Sequence, residues 1–141
     1  MLNVNKNNEV GPLRILVVDD NVDAAVVTGS LLDHLGYSVS IEHTPKDALE
    51  RVEAGVFDLC VLDIGLPDMD GYELAALLRE KPNTSNAVFA ALTGYGSQYY
   101  VNKSASEGFK YHFVKPVPLH KLIGACELIV ADLAGGGLAK K

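Results

Sequence analysis

The sequence predicts an α/β protein built on a parallel sheet with helices on both faces, and three observations predict it. Short apolar runs alternate five times with segments of helical period. The runs at 13–18, 57–62 and 87–92 are almost continuously apolar rather than alternating, as strands covered on both faces are. The connections between them are short throughout, so each strand–helix–strand step reads as a right-handed crossover.

The elements follow in order. LRILVV at 13–18 is a buried strand that stops at Asp19, Asp20 and Asn21. Val22, Ala25, Val26, Leu31, Leu32 and Leu35 then recur at helical spacing, with Gly36 placed to end the helix. Residues 37–42 alternate, with Val39 and Ile41 on one face, as an outer strand does. Thr44, Pro45 and Asp47 supply a capping hydroxyl, a proline for the first turn and an acid beside it, opening a helix that reaches about Ala54 before Gly55. FDLCVL at 57–62 runs into Asp63 and is the central strand. The third helix covers 71–81 and closes at Pro82; the fourth strand, 87–92, ends at Thr93 and Gly94. A more polar helix spans 97–107 and stops at Gly108, the strand at 111–114 leads into Lys115 and Pro116, and an amphipathic helix fills 119–133.

At 141 residues the chain suits one domain with a full core. Residues 1–12 read as a flexible leader, 13–133 as the domain, and 134–141 as a flexible tail or truncated linker. A formal net charge of -6, with no run of Lys and Arg, argues against binding nucleic acid through its phosphates. No stretch reaches the length of a membrane span or the apolar core of a signal peptide, and Cys60 and Cys126 sit inside apolar patterns as buried free thiols. These features fit a protein of the reducing cytoplasm.

Polar residues end four of the five strands: Asp19 with Asp20, Asp63, Thr93 and Lys115. In a parallel sheet those ends share one edge, so residues scattered along the chain converge there. Carboxylates brought together repel unless positive charge is supplied. Lys115 supplies some, and an all-oxygen donor set without His or Cys at the strand ends favours Mg²⁺ for the rest. With a phosphoryl group beside it, one carboxylate has the part of nucleophile, the lysine and metal neutralise the equatorial oxygens, and the Thr93 hydroxyl holds one of them.

The acidic pair after the first strand, the Asp63 loop continuing as DIGLPDMDGYEL, the ALTGYG segment and the FVKP segment together resemble the receiver domain of two-component response regulators. The resemblance extends over about 13–133. It implies a flavodoxin-like (βα)5 three-layer sandwich with strand order 2-1-3-4-5, and a phosphoacceptor signalling function. It further implies Asp63 as phosphoacceptor, and Mg²⁺ held by Asp20, Asp63 and the Gly65 carbonyl, with Asp19 acting through water. Thr93 becomes the switch hydroxyl, Lys115 the phosphate partner, and Lys115–Pro116 a cis peptide. The implied donor is a phosphohistidine on a sensor histidine kinase or histidine phosphotransfer protein. LTGYG and FVKPV are similar to receivers of hybrid histidine kinases.

The chain departs from the family where an aromatic residue is common, three positions before the lysine, which here is His112. Gly65 and Tyr95, two residues beyond Asp63 and Thr93, occupy positions that tune hydrolysis of the phosphoaspartate. Other readings stand beside these. Asp19 and Asp20 also suit the capping of the first helix. Asp68, Asp70 and Gly71 read as a turn and helix start, although DMDGY superficially matches the nucleophile loop of haloacid dehalogenase-type phosphatases. His34, His43, His112 and His120 show no metal-ligand spacing. Tyr95, Tyr99 and Tyr100 are either core or a face for a partner. A small Mg²⁺-dependent phosphatase and a degenerate docking module are the rival functions.

Overall fold

The computed structural model describes residues 2–4, 10–94, 96 and 98–135, with the side chains of 2–4 and 10 outside the description. In chain order the elements are β1 (Leu2–Val4), β2 (Val10–Pro12), β3 (Arg14–Val18), α1 (Val22–His34), β4 (Ser38–Glu42), α2 (Pro45–Arg51), β5 (Leu59–Asp63), α3 (Gly71–Arg79), β6 (Val88–Thr93), α4 (Gln98–Ser106), β7 (Tyr111–Val114) and α5 (Leu119–Ala134). Strands β3 to β7 form one parallel sheet in the order β4-β3-β5-β6-β7. Numbered from β3, that is the expected order 2-1-3-4-5.

The leader differs from the expectation. Instead of wholly irregular chain, β1 and β2 pair as an antiparallel ribbon, Leu2 opposite Pro12 and Val4 opposite Val10, and β1 lies against α5. Too few residues alternate there to signal a strand. The proposed tail beyond 135 lies outside the described residues.

Alternation along each strand divides the core. Leu16, Val18, Cys60 and Leu62 face one side, with Ala48 and Val52 from the α2 region and Leu74, Ala75 and Leu78 of α3. Ile15, Val17, Leu59 and Val61 face the other, against Leu32 of α1 and Leu122, Cys126 and Ile129 of α5. Every residue of β5 is buried, which is why its sequence shows no alternation. Both cysteines are buried free thiols, and burial pushes the Cys126 thiol up to about 12. At the amino edge of the sheet Arg14 joins Asp58: its backbone N–H and its Nε donate to Asp58 Oδ2 at 2.9 and 3.3 Å. That bond ties the starts of β3 and β5 and leaves the opposite edge for chemistry.

The polar helix α4 is packed unlike the others. Of its nine residues Ser104 alone is buried. Its hydroxyl lies 3.1 Å from the Tyr72 hydroxyl of α3 and 2.9 Å from Nδ1 of His112 on β7. A polar node, rather than an apolar stripe, thus fastens α4 to the body.

Candidate functional site

Sheet register sets the levels at which the polar residues emerge. Val18 pairs with Leu62, so Asp19 and Asp63 leave their strands at one height. Asp63 pairs with Leu92, Thr93 with Val114, and Lys115 follows directly. The edge therefore steps outward from the acids to the hydroxyl to the lysine. Backbone bonds fix the steps: Ile64 N–H donates to the Leu92 carbonyl at 2.9 Å, and Lys115 N–H to the Thr93 carbonyl at 2.7 Å. The Lys115–Pro116 peptide is cis.

Asp19, Asp63 and Thr93 are buried, and Asp20 is exposed. One carboxylate oxygen from each of Asp19, Asp20 and Asp63 falls within 4.8 Å of the others. Lys115 Nζ donates to Asp63 Oδ2 at 2.9 Å and stands 3.5 Å from Asp19 Oδ1. The remaining Asp63 oxygen accepts from the Gly65 N–H at 2.9 Å, and Asp19 Oδ1 accepts from the Asn21 N–H at 3.0 Å. Capping of α1 falls to Asn21, whose side chain accepts from the Ala24 N–H at 3.0 Å, so the acids are not its caps. Asp70 caps α3 through the Glu73 N–H, a helix start as expected from the DMDGY segment.

The electrostatics separate the three acids. Burial raises the carboxyl pKa of Asp19, partial loss of solvent raises that of the largely exposed Asp20, and the neighbouring Asp63 adds to both shifts. Burial acts on Asp63 in the same direction, but the hydrogen bonds from Lys115 and the Gly65 N–H outweigh it and hold that carboxyl below its ordinary value. Burial likewise works against the charge of Lys115, and the hydrogen bond and charge of Asp63, then of Asp19, raise its pKa above the usual lysine value. Asp63 is thus the ionised, lysine-bound member of a cluster whose other two members are raised first by loss of solvent and then by Asp63 beside them. One lysine among three carboxylates leaves negative charge in excess. The donor set is all oxygen, close enough to converge on a single hard cation, and so fits Mg²⁺.

Gly71 shows how tightly the Asp63 loop is held. A Cβ there would lie 2.6 Å from the Asp63 carbonyl oxygen and 2.8 Å from Ile64 Cα, both backbone atoms that cannot swing aside. Gly71→Ala is therefore expected to displace the loop, lowering stability by about 1–3 kcal/mol and weakening Mg²⁺ binding together; denaturant melts and a Mg²⁺ titration of the same sample check both.

Of the remaining residues singled out in the sequence, Tyr95 lies outside the described residues. Tyr99 is 66% exposed and packs edge-on against the half-buried Tyr100, so Tyr99 belongs to the surface and not the core. His112 is half-buried on β7 and bonded to Ser104. Ser104→Ala leaves the Tyr72 hydroxyl and His112 Nδ1 without that partner, and is expected to cost about 1–3 kcal/mol in a denaturant melt, more than its small change in volume suggests. Sequence reasoning missed Ser104 and also His43, whose Nδ1 lies 2.9 Å from the Asp19 carbonyl oxygen. Neither residue has a spacing that announces its partner.

Comparison with known proteins places this edge in context. A family model described as the response regulator receiver domain matches residues 15–127. An uncharacterized 14.6 kDa protein of Leptolyngbya boryana is 34% identical over 109 residues, covering 77% of this chain and 83% of that protein. The signal transduction histidine-protein kinase BarA of Escherichia coli (strain K12) is 28% identical over 114 residues; the match takes in 79% of this chain but only 12% of BarA. Among solved structures, a response regulator receiver domain protein (CheY-like) from Methanospirillum hungatei JF-1 superposes with a TM-score of 0.76 at 30% identity, over 86% of this chain and 95% of that one.

Proposed function

The chain belongs to the response regulator receiver domain family, the phosphoacceptor switch of two-component signalling, and from that premise we propose that Asp63 is the residue that accepts the phosphoryl group. The observation that carries this reading is the grip on Asp63: one carboxylate oxygen held by Lys115 at 2.9 Å, the other by the Gly65 N–H at 2.9 Å, with its pKa held low. A carboxylate kept ionised and aimed from a buried strand is a prepared nucleophile.

In the step proposed, an Asp63 oxygen bonds to phosphorus as the P–N bond of a phosphohistidine breaks, and that electron pair leaves on the imidazole nitrogen. Lys115, released from the carboxylate oxygen that reacts, turns to a phosphoryl oxygen. The Thr93 hydroxyl, one residue further out along the sheet edge, takes another. Asp19, Asp20, Asp63 and the Gly65 carbonyl are the groups assigned to Mg²⁺, with Asp19 acting through water. The metal supplies neutralisation of charge on the equatorial oxygens.

His112 is assigned the switch position, and Gly65 with Tyr95 the tuning of phosphoaspartate lifetime. The partner is a sensor histidine kinase or a histidine phosphotransfer protein, and likeness to a segment of the histidine-protein kinase BarA supports a place in histidine-kinase signalling. Among the described residues no helix is long and apolar enough to cross a membrane. Buried free thiols suit the cytoplasm.

Incubation with a phosphohistidine donor and Mg²⁺, read by intact mass, tests the reading. A gain of one phosphoryl group that chelation prevents is expected. No gain from small-molecule donors and from a panel of phosphohistidine proteins would leave the chain a docking module.

A further inference from the structure

Resting on the reading of Asp19, Asp20 and Asp63 as the acids that hold the metal, we propose that His43 is a positioning residue for that site. Its ring N–H grips the Asp19 carbonyl and thereby fixes the peptide that aims the Asp20 carboxylate.

His43 follows directly on β4, an edge strand whose end lies beside the start of the acidic loop. Its Nδ1 lies 2.9 Å from the Asp19 carbonyl oxygen. A carbonyl only accepts, so Nδ1 is the protonated ring nitrogen in this contact. The preceding residue completes the grip, because the Glu42 carbonyl accepts from the Asp19 N–H at 3.1 Å. Two successive residues thus hold both backbone polar groups of Asp19.

The consequence falls on Asp20. The Asp19 carbonyl and the Asp20 N–H belong to one planar unit, so turning the first turns the second. The Asp19 side chain has its own anchors in the Asn21 N–H and Lys115, and survives the loss of His43 in place. Asp20 is exposed, so packing does not aim it; the peptide before it does. Asp19 is 2% exposed, and its carbonyl would lose a partner in a place with little water to replace it.

The test compares His43→Ala, which removes the donor, with His43→Asn, whose Nδ2 stands at the same branch of the side chain as the histidine Nδ1. Mg²⁺ alone is titrated into each unphosphorylated chain, and phosphorylation by acetyl phosphate or phosphoramidate is then followed against Mg²⁺ concentration. In His43→Ala the Mg²⁺ dissociation constant and the half-saturating Mg²⁺ concentration are expected to rise at least about fivefold, while the rate at saturating Mg²⁺ stays within about twofold of wild type. His43→Asn is expected to recover most of the affinity. ¹⁵N spectra of the metal-free wild-type chain should show His43 protonated at Nδ1.

Unchanged Mg²⁺ affinity in His43→Ala overturns the proposal, and so does an Asn variant as weak as the Ala variant, or an unprotonated Nδ1. A fall in the saturated rate with an unchanged Mg²⁺ constant overturns it as well. A wild-type chain that binds no Mg²⁺ overturns the reading of the acids themselves, and this inference with it.

Discussion

Asp63→Asn is expected to abolish the gain of phosphoryl mass entirely while the chain stays folded. The amide has the shape of the carboxylate and keeps an oxygen for the Gly65 N–H; its nitrogen then faces Lys115, which loses that acceptor but retains Asp19 as an acid partner. What it loses is the anionic oxygen proposed to attack phosphorus. Mg²⁺ affinity should fall with it by about tenfold or more, roughly 1.4 kcal/mol, since one anionic ligand is gone. The two remaining acids should respond in the opposite sense. Asp63 contributes to the raised pKa values of Asp19 and Asp20, so both carboxyls should titrate closer to their ordinary range in the variant. Intact mass and a carboxyl ¹³C titration read these outcomes independently. Phosphoryl mass retained on Asp63→Asn would move the acceptor to another residue.

The second large effect is expected of Lys115→Met. The ammonium stands between Asp63 and Asp19, whose side chains are 4% and 3% exposed. Without it two buried carboxylates face each other with no cation between them. The lysine side chain is itself about a third exposed, and solvent screening reduces the cost to about 1–2 kcal/mol in the absence of Mg²⁺. The pH dependence identifies the cause. The Asp63 carboxyl is held low, so its contribution is present above the ordinary carboxylate range and is lost as pH falls through its folded value. The Lys115 ammonium is held high, so its contribution is present below the ordinary lysine value and is lost only as pH rises through its folded value. The deficit of the variant should therefore span the neutral range and close on acidification, once the carboxyls take up protons. Denaturant melts across pH check the window, and added Mg²⁺ should restore much of the loss at neutral pH. A deficit that persists unchanged in acid would mean the lysine stem, and not its charge, is what matters.

Much of this was legible in the sequence because burial on both faces of a parallel sheet leaves a direct imprint. The runs at 13–18, 57–62 and 87–92 became β3, β5 and β6 within two residues at each end. At the start of β5 the strand begins at Leu59, although the Asp58 backbone already bonds both neighbours: its N–H donates to the Arg14 carbonyl at 2.8 Å and its carbonyl accepts from the Val88 N–H at 2.9 Å. Polar residues ending those runs converge as expected, since a parallel sheet allows them no other place. Capping was less legible. Asp19 and Asp20 looked like caps by residue type, and only the geometry shows Asn21 in that part.

The hidden residues share a reason. His43 meets a backbone carbonyl 24 positions away, and Ser104 meets side chains from two other elements. A bond of that kind leaves no periodicity behind it. The ribbon of β1 and β2 was hidden for another reason: three residues a strand, with few apolar positions, read as a polar leader.

The single buried serine of α4 sets a hierarchy of local opening. A helix held by apolar burial detaches only when much of the core goes with it; one whose only fully buried residue carries a hydroxyl, bonded to Tyr72 and His112, gives up far less apolar burial when it detaches. The amides of α4 should therefore exchange with solvent through a sub-global opening far below the free energy that protects β5, giving the domain one hinged shutter on an otherwise cooperative body. Because the node joins α3, which begins against the Asp63 loop, to β7, which leads into Lys115, that shutter is connected at both ends to the residues proposed to handle the phosphoryl group.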